Sequence, residues 1–123
     1  MPTTIHKIES YKVQILAKEH GEMPRPCVTV RLYDGDGKIV GTAVFKDYGP
    51  GTPAELPIGK ASDDTATAFF DINFFDAFIG VLRYEDELYW KIAWRKLGAV
   101  TSCSDVSLDT KREVIGDFFP RTT

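Results

Sequence analysis

Apolar and polar residues alternate along most of the chain, with the period of two expected when one face of a β-strand is buried. The pattern is sharpest at Leu88–Leu97, where Trp90, Ile92 and Trp94 share one side. Alternation predicts six strands, at residues 9–17, 27–33, 38–46, 65–72, 88–97 and 100–106. In the third strand either face fits the core, so its orientation stays open.

One segment has a helical period instead. Phe75, Phe78, Ile79 and Leu82 fall at the i, i+3, i+4 and i+7 positions of one helical stripe, which predicts a short helix from residue 74 to about residue 84. Asn73, followed three residues later by Asp76, resembles a capping box at the start of this helix. The apolar stripe is expected to cover one face of the sheet.

These elements predict the α+β class: a mostly antiparallel sheet of about six strands with one short helix packed on one face. A chain of 123 residues fits a single domain, residues 1–123. It includes a flexible loop at 48–64 that is rich in proline and glycine, and a C-terminal tail at 110–123. The tail contains Val114, Ile115, Phe118 and Phe119, which we expect to dock on the core or to contact a partner or a second copy.

The stretch YDGDGKIVG at residues 33–41 has the aspartates and glycines of a calcium loop, a phosphate loop or a tight turn. A calcium loop would need an oxygen ligand at Lys38 and a glycine at Ile39, and the closing glutamate is missing. The glycine spacing and the Lys-Ser/Thr pair of a phosphate loop are missing too. Since the stretch separates two predicted strands, we interpret it as a hairpin turn.

Net charge, the length of apolar segments and the number of cysteines argue against several classes of function. The net charge of −3 argues against a globally basic nucleic-acid binder, and no segment approaches the roughly 18 apolar residues of a membrane span. We therefore expect a cytoplasmic protein that does not act at a membrane. Cys27 and Cys103 are too few and too far apart for a disulfide framework or a zinc site, so both are expected to be reduced thiols.

The sequence contains no recognisable catalytic motif. His6 and His20 are interpreted as solvated histidines, and Cys103 as part of a polar strand, TSCSD. The acidic pair at residues 63–64 and the acidic triplet at residues 85–87 are interpreted as solvated charges, with a cation site or acid-base pair as the alternative. We predict no cofactor and no metal, and we lean against an enzyme, although one of an unfamiliar type stays open.

The remaining candidate is a surface. If the two tryptophans and Val28, Val30 and Leu32 face the core, a basic and aromatic set lies on the opposite face: Lys12, Arg31, Tyr33, Tyr89, Lys91 and Arg95, with Lys46, Thr67 and Phe69 as further candidates. Cations suit phosphates and aromatic rings suit bases, so such a face fits single-stranded nucleic acid. An ordinary solvated sheet face has a similar composition.

Three classes of function stay open. We expect a small, non-catalytic cytoplasmic binding or protein-interaction module whose ligand the sequence does not name. Within that class, single-stranded nucleic acid is the alternative ligand. A structural or assembly subunit, in which an edge strand and the tail contact another chain or a homodimer partner, stays open as well, as does an enzyme of unrecognised type.

Overall fold

The part of the chain that the structure describes folds into two β-sheets and one short helix. The computed structural model describes residues 2–16 and 27–110. In chain order its elements are β1 (Thr3–Lys7), β2 (Ser10–Leu16), β3 (Cys27–Tyr33), β4 (Ile39–Lys46), β5 (Ile58–Lys60), β6 (Thr65–Asp71), α1 (Phe75–Tyr84), β7 (Leu88–Leu97) and β8 (Val100–Thr110), with 3-10 turns at Ala61–Asp63 and Ile72–Phe74. The α+β class with mostly antiparallel pairing is confirmed.

The prediction of one sheet of about six strands is wrong. The strands form a three-stranded sheet in the order β1-β7-β8 and a five-stranded sheet in the order β2-β3-β4-β6-β5. All pairings are antiparallel except that of β4 with β6. β1 and β5, with the sequences TTIHK and IGK, are too short or too polar to show alternation, so the sequence did not reveal them.

The chain crosses between the two sheets at Ile8 and Glu9. The Ile8 amide donates a hydrogen bond of 2.9 Å to the Leu88 carbonyl at the start of β7, and the Glu9 amide donates one of 2.8 Å to the Tyr33 carbonyl at the end of β3. One continuous stretch of chain therefore supplies an edge strand to each sheet. The predicted strand at 9–17 covers only the second of these, and its last residue lies outside the described part of the chain.

The core lies between the inner faces of the two sheets. The predicted inward positions are confirmed: Val30, Leu32, Trp90 and Ile92 are fully buried, and β4 turns Ala43 and Phe45 inward. The Trp90 indole donates a hydrogen bond of 3.3 Å to the Ala66 carbonyl across the core. Burial of each large apolar side chain contributes roughly 1.5–3 kcal/mol, so this shared core stabilises both sheets together.

The apolar stripe of α1 is buried against the core. Phe78, Ile79 and Leu82 are buried, and the Phe78 ring packs edge-on against Phe45 with centroids 5.1 Å apart. The predicted capping box is wrong. Asp71 instead accepts a hydrogen bond of 3.0 Å from the Asn73 amide at the 3-10 turn that precedes α1.

The hairpin interpretation of the YDGDGKIVG stretch is confirmed. The Asp34 carboxylate accepts hydrogen bonds from the amides of Asp36 and Lys38, at 2.9 and 3.0 Å, and Gly37 has a φ of +78°. The carboxylate is thereby engaged in ordering the turn between β3 and β4. The last strand extends to Thr110, beyond its predicted end, and the apolar residues of the tail lie outside the described residues.

Candidate functional site

The six predicted surface residues divide between two sheets. Lys12, Arg31 and Tyr33 lie on β2 and β3 of the five-stranded sheet, whereas Tyr89, Lys91 and Arg95 lie on β7 of the three-stranded sheet. Because the sheets pack through their inner faces, the two outer faces point in opposite directions. The expectation that the six share one surface is therefore wrong, and its cause is the incorrect assumption of a single sheet.

Three of the six predicted surface residues, together with other polar and aromatic residues, lie on the outer face of the five-stranded sheet. Lys12, Arg31, Thr42 and Thr67 stand in register across β2, β3, β4 and β6. At about 4.8 Å per strand this row is roughly 14 Å long. We call the outward side of this sheet the basic face; its main members are Lys12, Gln14, Arg31, Tyr33, Thr42, Lys46, Thr67 and Phe69.

Charge is strongly one-sided on these strands. The five strands of this sheet contain four cationic residues, Lys12, Arg31, Lys46 and Lys60, and one carboxylate, Asp71, at the end of β6. That carboxylate accepts the hydrogen bond from Asn73 that orders the turn before α1. The strands therefore carry an excess of positive charge, although the whole chain has a net charge of −3 and carboxylates just outside the strands pair with Lys46 and Lys60.

Two contacts fix cations on the basic face. The Arg31 guanidinium donates a hydrogen bond of 2.9 Å to the Gln14 side chain on the neighbouring strand. Arg31 is half-buried. The Lys46 ammonium lies 5.3 Å from the centre of the Phe69 ring and 2.9 Å from the Glu55 carboxylate in the loop after β4. The Glu55 hydrogen bond raises the pKa of Lys46, so this lysine stays charged at any physiological pH.

Lys12 and Arg31 differ from the other cations of this sheet. Lys46 pairs with Glu55, and Lys60 pairs with Asp63 at 3.1 Å. Among the described residues, neither Lys12 nor Arg31 makes an ion pair. These two charges are consequently the ones best placed to meet a negative charge on a ligand.

A shallow cleft of about 330 Å³ lies beside the basic face, where β4 and β6 begin. Its polar lining residues are Lys38, Thr42, Asp63, Thr65 and Thr67. Thr42 and Thr67 also belong to the row that contains Arg31. The cleft therefore extends that row with hydroxyl groups, one further lysine and the carboxylate of Asp63. Sequence analysis missed it because the pairing of β4 with β6 was not foreseen.

The opposite outer face, on the three-stranded sheet, has a mixed charge. Asp105 and Asp109 of β8 stand directly opposite Ala93 and Tyr89 of β7. The Tyr89 hydroxyl donates a hydrogen bond of 3.1 Å to Glu87, and this contact raises the pKa of Tyr89. Lys91 and Arg95 are thus interspersed with carboxylates, in contrast to the cations of the basic face.

The environment of Cys103 does not favour a catalytic thiol. Cys103 lies on the inner side of β8, where a side chain on Gly59 of β5 would collide with it. Burial raises the pKa of the Cys103 thiol, and the nearby Asp105 charge raises it further. A nucleophilic cysteine requires the opposite shift, because the thiolate is the reactive form.

His6 is not the solvated histidine that the sequence suggested. It is half-buried on the inward side of β1, and its Nε2 lies 2.6 Å from the backbone carbonyl of Asp64. Thr4 accepts a hydrogen bond of 2.9 Å from the Trp94 indole and lies 3.4 Å from the Asp64 carboxylate. These contacts join β1 to the turn before β6. His20 lies outside the described residues.

Within residues 2–16 and 27–110, no cluster of three or more His, Cys, Asp or Glu side chains has the arrangement of a metal site. No described helix has the length and apolar character needed to cross a membrane. Comparison of the chain with protein-family models, with curated proteins and with solved structures finds no match. The function is consequently inferred from the geometry of the basic face.

Proposed function

We propose that the protein is a non-catalytic binding module and that its working surface is the basic face of the five-stranded sheet. The observation that carries this proposal is the pair of neighbouring cations Lys12 and Arg31, neither of which makes an ion pair among the described residues. A concentration of one sign of charge on one face attracts ligands of the opposite sign and speeds their association. The ligand is therefore an acidic one.

The row of Lys12, Arg31, Thr42 and Thr67 defines how such a ligand lies. It crosses the strands at roughly right angles and leads into the cleft that Lys38 and Thr65 help to line. A ligand with negative groups repeated along its length would meet the two cations first and the hydroxyl groups of the cleft next. This arrangement favours an extended acidic polymer over a compact anion.

Single-stranded nucleic acid is the ligand we consider in more detail, because aromatic rings accompany the cations. Tyr33 lies two residues from Arg31 on the same side of β3, and Phe69 lies under Lys46. Both rings are half-buried, so each presents part of its surface to a ligand. Unstacked bases pack on such rings while phosphates contact neighbouring cations.

The division of the predicted residues between two faces provides a matched control. One variant, Lys12→Gln/Arg31→Gln, neutralises two charges on the basic face. A second variant, Lys91→Gln/Arg95→Gln, makes the same change of net charge on the opposite face. Fluorescence anisotropy of labelled single-stranded DNA and RNA 20-mers would be measured for both variants and for the unmodified protein at several salt concentrations.

We expect the unmodified protein to bind with an affinity that falls as salt rises. The Lys12/Arg31 variant should bind less tightly and show a shallower salt dependence, by about 0.7 in log–log slope for each lost phosphate contact. The Lys91/Arg95 variant should resemble the unmodified protein. Equal losses in both variants would contradict a role specific to the basic face. If labelled polyglutamate binds and the oligonucleotides do not, the ligand is an acidic polypeptide.

A further inference from the structure

The five-stranded sheet has an open edge with unusual side chains. Among the described residues β2 pairs only with β3, so the backbone N–H and C=O groups on its other side have no partner within that part of the chain. Three apolar side chains of this strand are exposed: Val13 by 37%, Ile15 by 74% and Leu16 by 39%. Edge strands that stay single are normally protected by charges, prolines or bulges, and β2 contains one charge, Lys12.

The sequence of β2 is complementary to itself in the antiparallel direction. The strand has seven residues, SYKVQIL, with Val13 at its centre. When two copies pair about that centre, Val13 faces Val13 of the partner copy, and Tyr11 faces Ile15. On the outward side Lys12 faces Gln14. All apolar inward positions then meet apolar positions, and no like charges stand directly opposite.

Other registers of the same pairing are less favourable. Moving the centre to Lys12 places two lysines directly opposite each other, which is destabilising. Moving it to Gln14 leaves Ser10 and Tyr11 without partners, so fewer hydrogen bonds and less apolar contact form. The register centred on Val13 alone uses the whole strand, and it gives the closed two-fold symmetry that most homodimers have.

From these observations we infer that β2 pairs with β2 of a second copy of this chain, so that two five-stranded sheets join into one ten-stranded sheet. The inference does not depend on the proposed function. In such a dimer the basic faces of the two copies lie on the same side of the joined sheet, because antiparallel pairing about a two-fold axis keeps outward residues outward. The surface for an extended ligand is then doubled in length.

The contact buries seven residues from each copy, so we expect a weak, concentration-dependent dimer. Sedimentation of the full chain from micromolar to several hundred micromolar would show it. Ile15→Lys should raise the dissociation constant about tenfold or more, since it removes a buried apolar contact from each end of the strand pair. Leu56→Lys, at a position that is 83% exposed and remote from β2 in sequence, is the matched control and should leave the dissociation constant unchanged.

Cross-linking tests the register. With Cys27 and Cys103 replaced by serine in the full chain, Val13→Cys places two thiols opposite each other in the dimer. Ile15→Cys places its thiol opposite Tyr11. Oxidation should therefore give a disulfide-linked dimer for Val13→Cys and far less for Ile15→Cys, with circular dichroism confirming that both variants fold. A chain that stays monomeric at several hundred micromolar overturns the inference, as does a dimer that neither Ile15→Lys weakens nor Val13→Cys links.

Discussion

The Trp90 indole fills the space above Gly41. A β-carbon at Gly41 would overlap the indole nitrogen and its neighbouring ring carbons, because the backbone of β4 lies directly against the ring across the core. Trp90 is fully buried, and its indole donates to the Ala66 carbonyl on β6, the strand next to β4. The contact of one glycine with one tryptophan therefore sets how closely the two sheets approach at this point.

We expect Gly41→Ala to destabilise the protein by about 3 kcal/mol, at the upper end of the usual range for overpacking, since neither the ring nor the strand has room to move. Chemical denaturation followed by tryptophan fluorescence measures the change. Gly80→Ala is the control, because a β-carbon at that helical position meets nothing within 4 Å. It should stabilise the protein by about 0.5–1 kcal/mol through helix propensity. Similar changes in both variants would contradict the close contact.

The sequence predicted which residues face the core better than it predicted which strands pair. Alternation assigned the correct side to Leu32 and Trp90, because the period of two depends only on the residues of one strand. Pairing depends on contacts between distant segments, and the pattern contains no information on them. The proximity of Gly41 to Trp90 and the parallel pairing of β4 with β6 were for this reason beyond sequence analysis.

The same limit explains the candidate site. Lys12, Arg31 and Tyr33 were correctly grouped because β2 and β3 are neighbours in the chain and in the sheet. Lys91 was placed with them only because a single sheet was assumed. The threonine-lined cleft had no local signal at all, since Thr42 and Thr67 are ordinary strand residues until their register is known.

Asp64 has a φ of +53°, in the left-handed region, at the turn that His6 contacts through its ring nitrogen. We expect Asp64→Ala to destabilise the protein by about 1 kcal/mol, because alanine adopts this conformation less readily than aspartate. Asp64→Gly should be more stable than Asp64→Ala by about the same amount, since glycine has no β-carbon. Thermal denaturation of the two variants measures the difference. Equal stabilities would show that the backbone at residue 64 changes conformation in the variants.

Cys103 should react slowly with alkylating reagents in the folded protein. Burial raises the pKa of this thiol, so its thiolate fraction near pH 7 is below that of an ordinary cysteine, whose pKa is about 8.5. In a Cys27→Ser background, the alkylation rate of the native protein should rise at a higher pH than that of the urea-unfolded chain. A midpoint at or below that of the unfolded chain would contradict the assignment.

The raised pKa of Cys103 also makes the free energy of unfolding depend on pH. Since the folded state holds the thiol proton more tightly than the unfolded state, the contribution to stability is complete below the unfolded pKa of about 8.5. It is lost as pH rises through the higher pKa of the folded state. We expect Cys103→Ser to remove this part of the alkaline loss of stability, as measured by urea denaturation between pH 7 and pH 10. An unchanged pH dependence would assign the loss to other groups.

Substitution of Phe69 distinguishes base stacking from simple charge attraction as the way the basic face binds a ligand. Its ring lies under the Lys46 ammonium, and it is half-buried between neighbouring strands. If bases stack on this ring, Phe69→Leu should weaken binding of a single-stranded 20-mer by about 1–3 kcal/mol. Binding of heparin, which has negative charge but no bases, should change little, because leucine leaves every cation of the face in place.

Competition anisotropy with both polyanions on one protein preparation gives the two affinities side by side. Equal weakening for both would mean that Phe69 acts by supporting Lys46, whereas no change for either would restrict the face to charge contacts at Lys12 and Arg31.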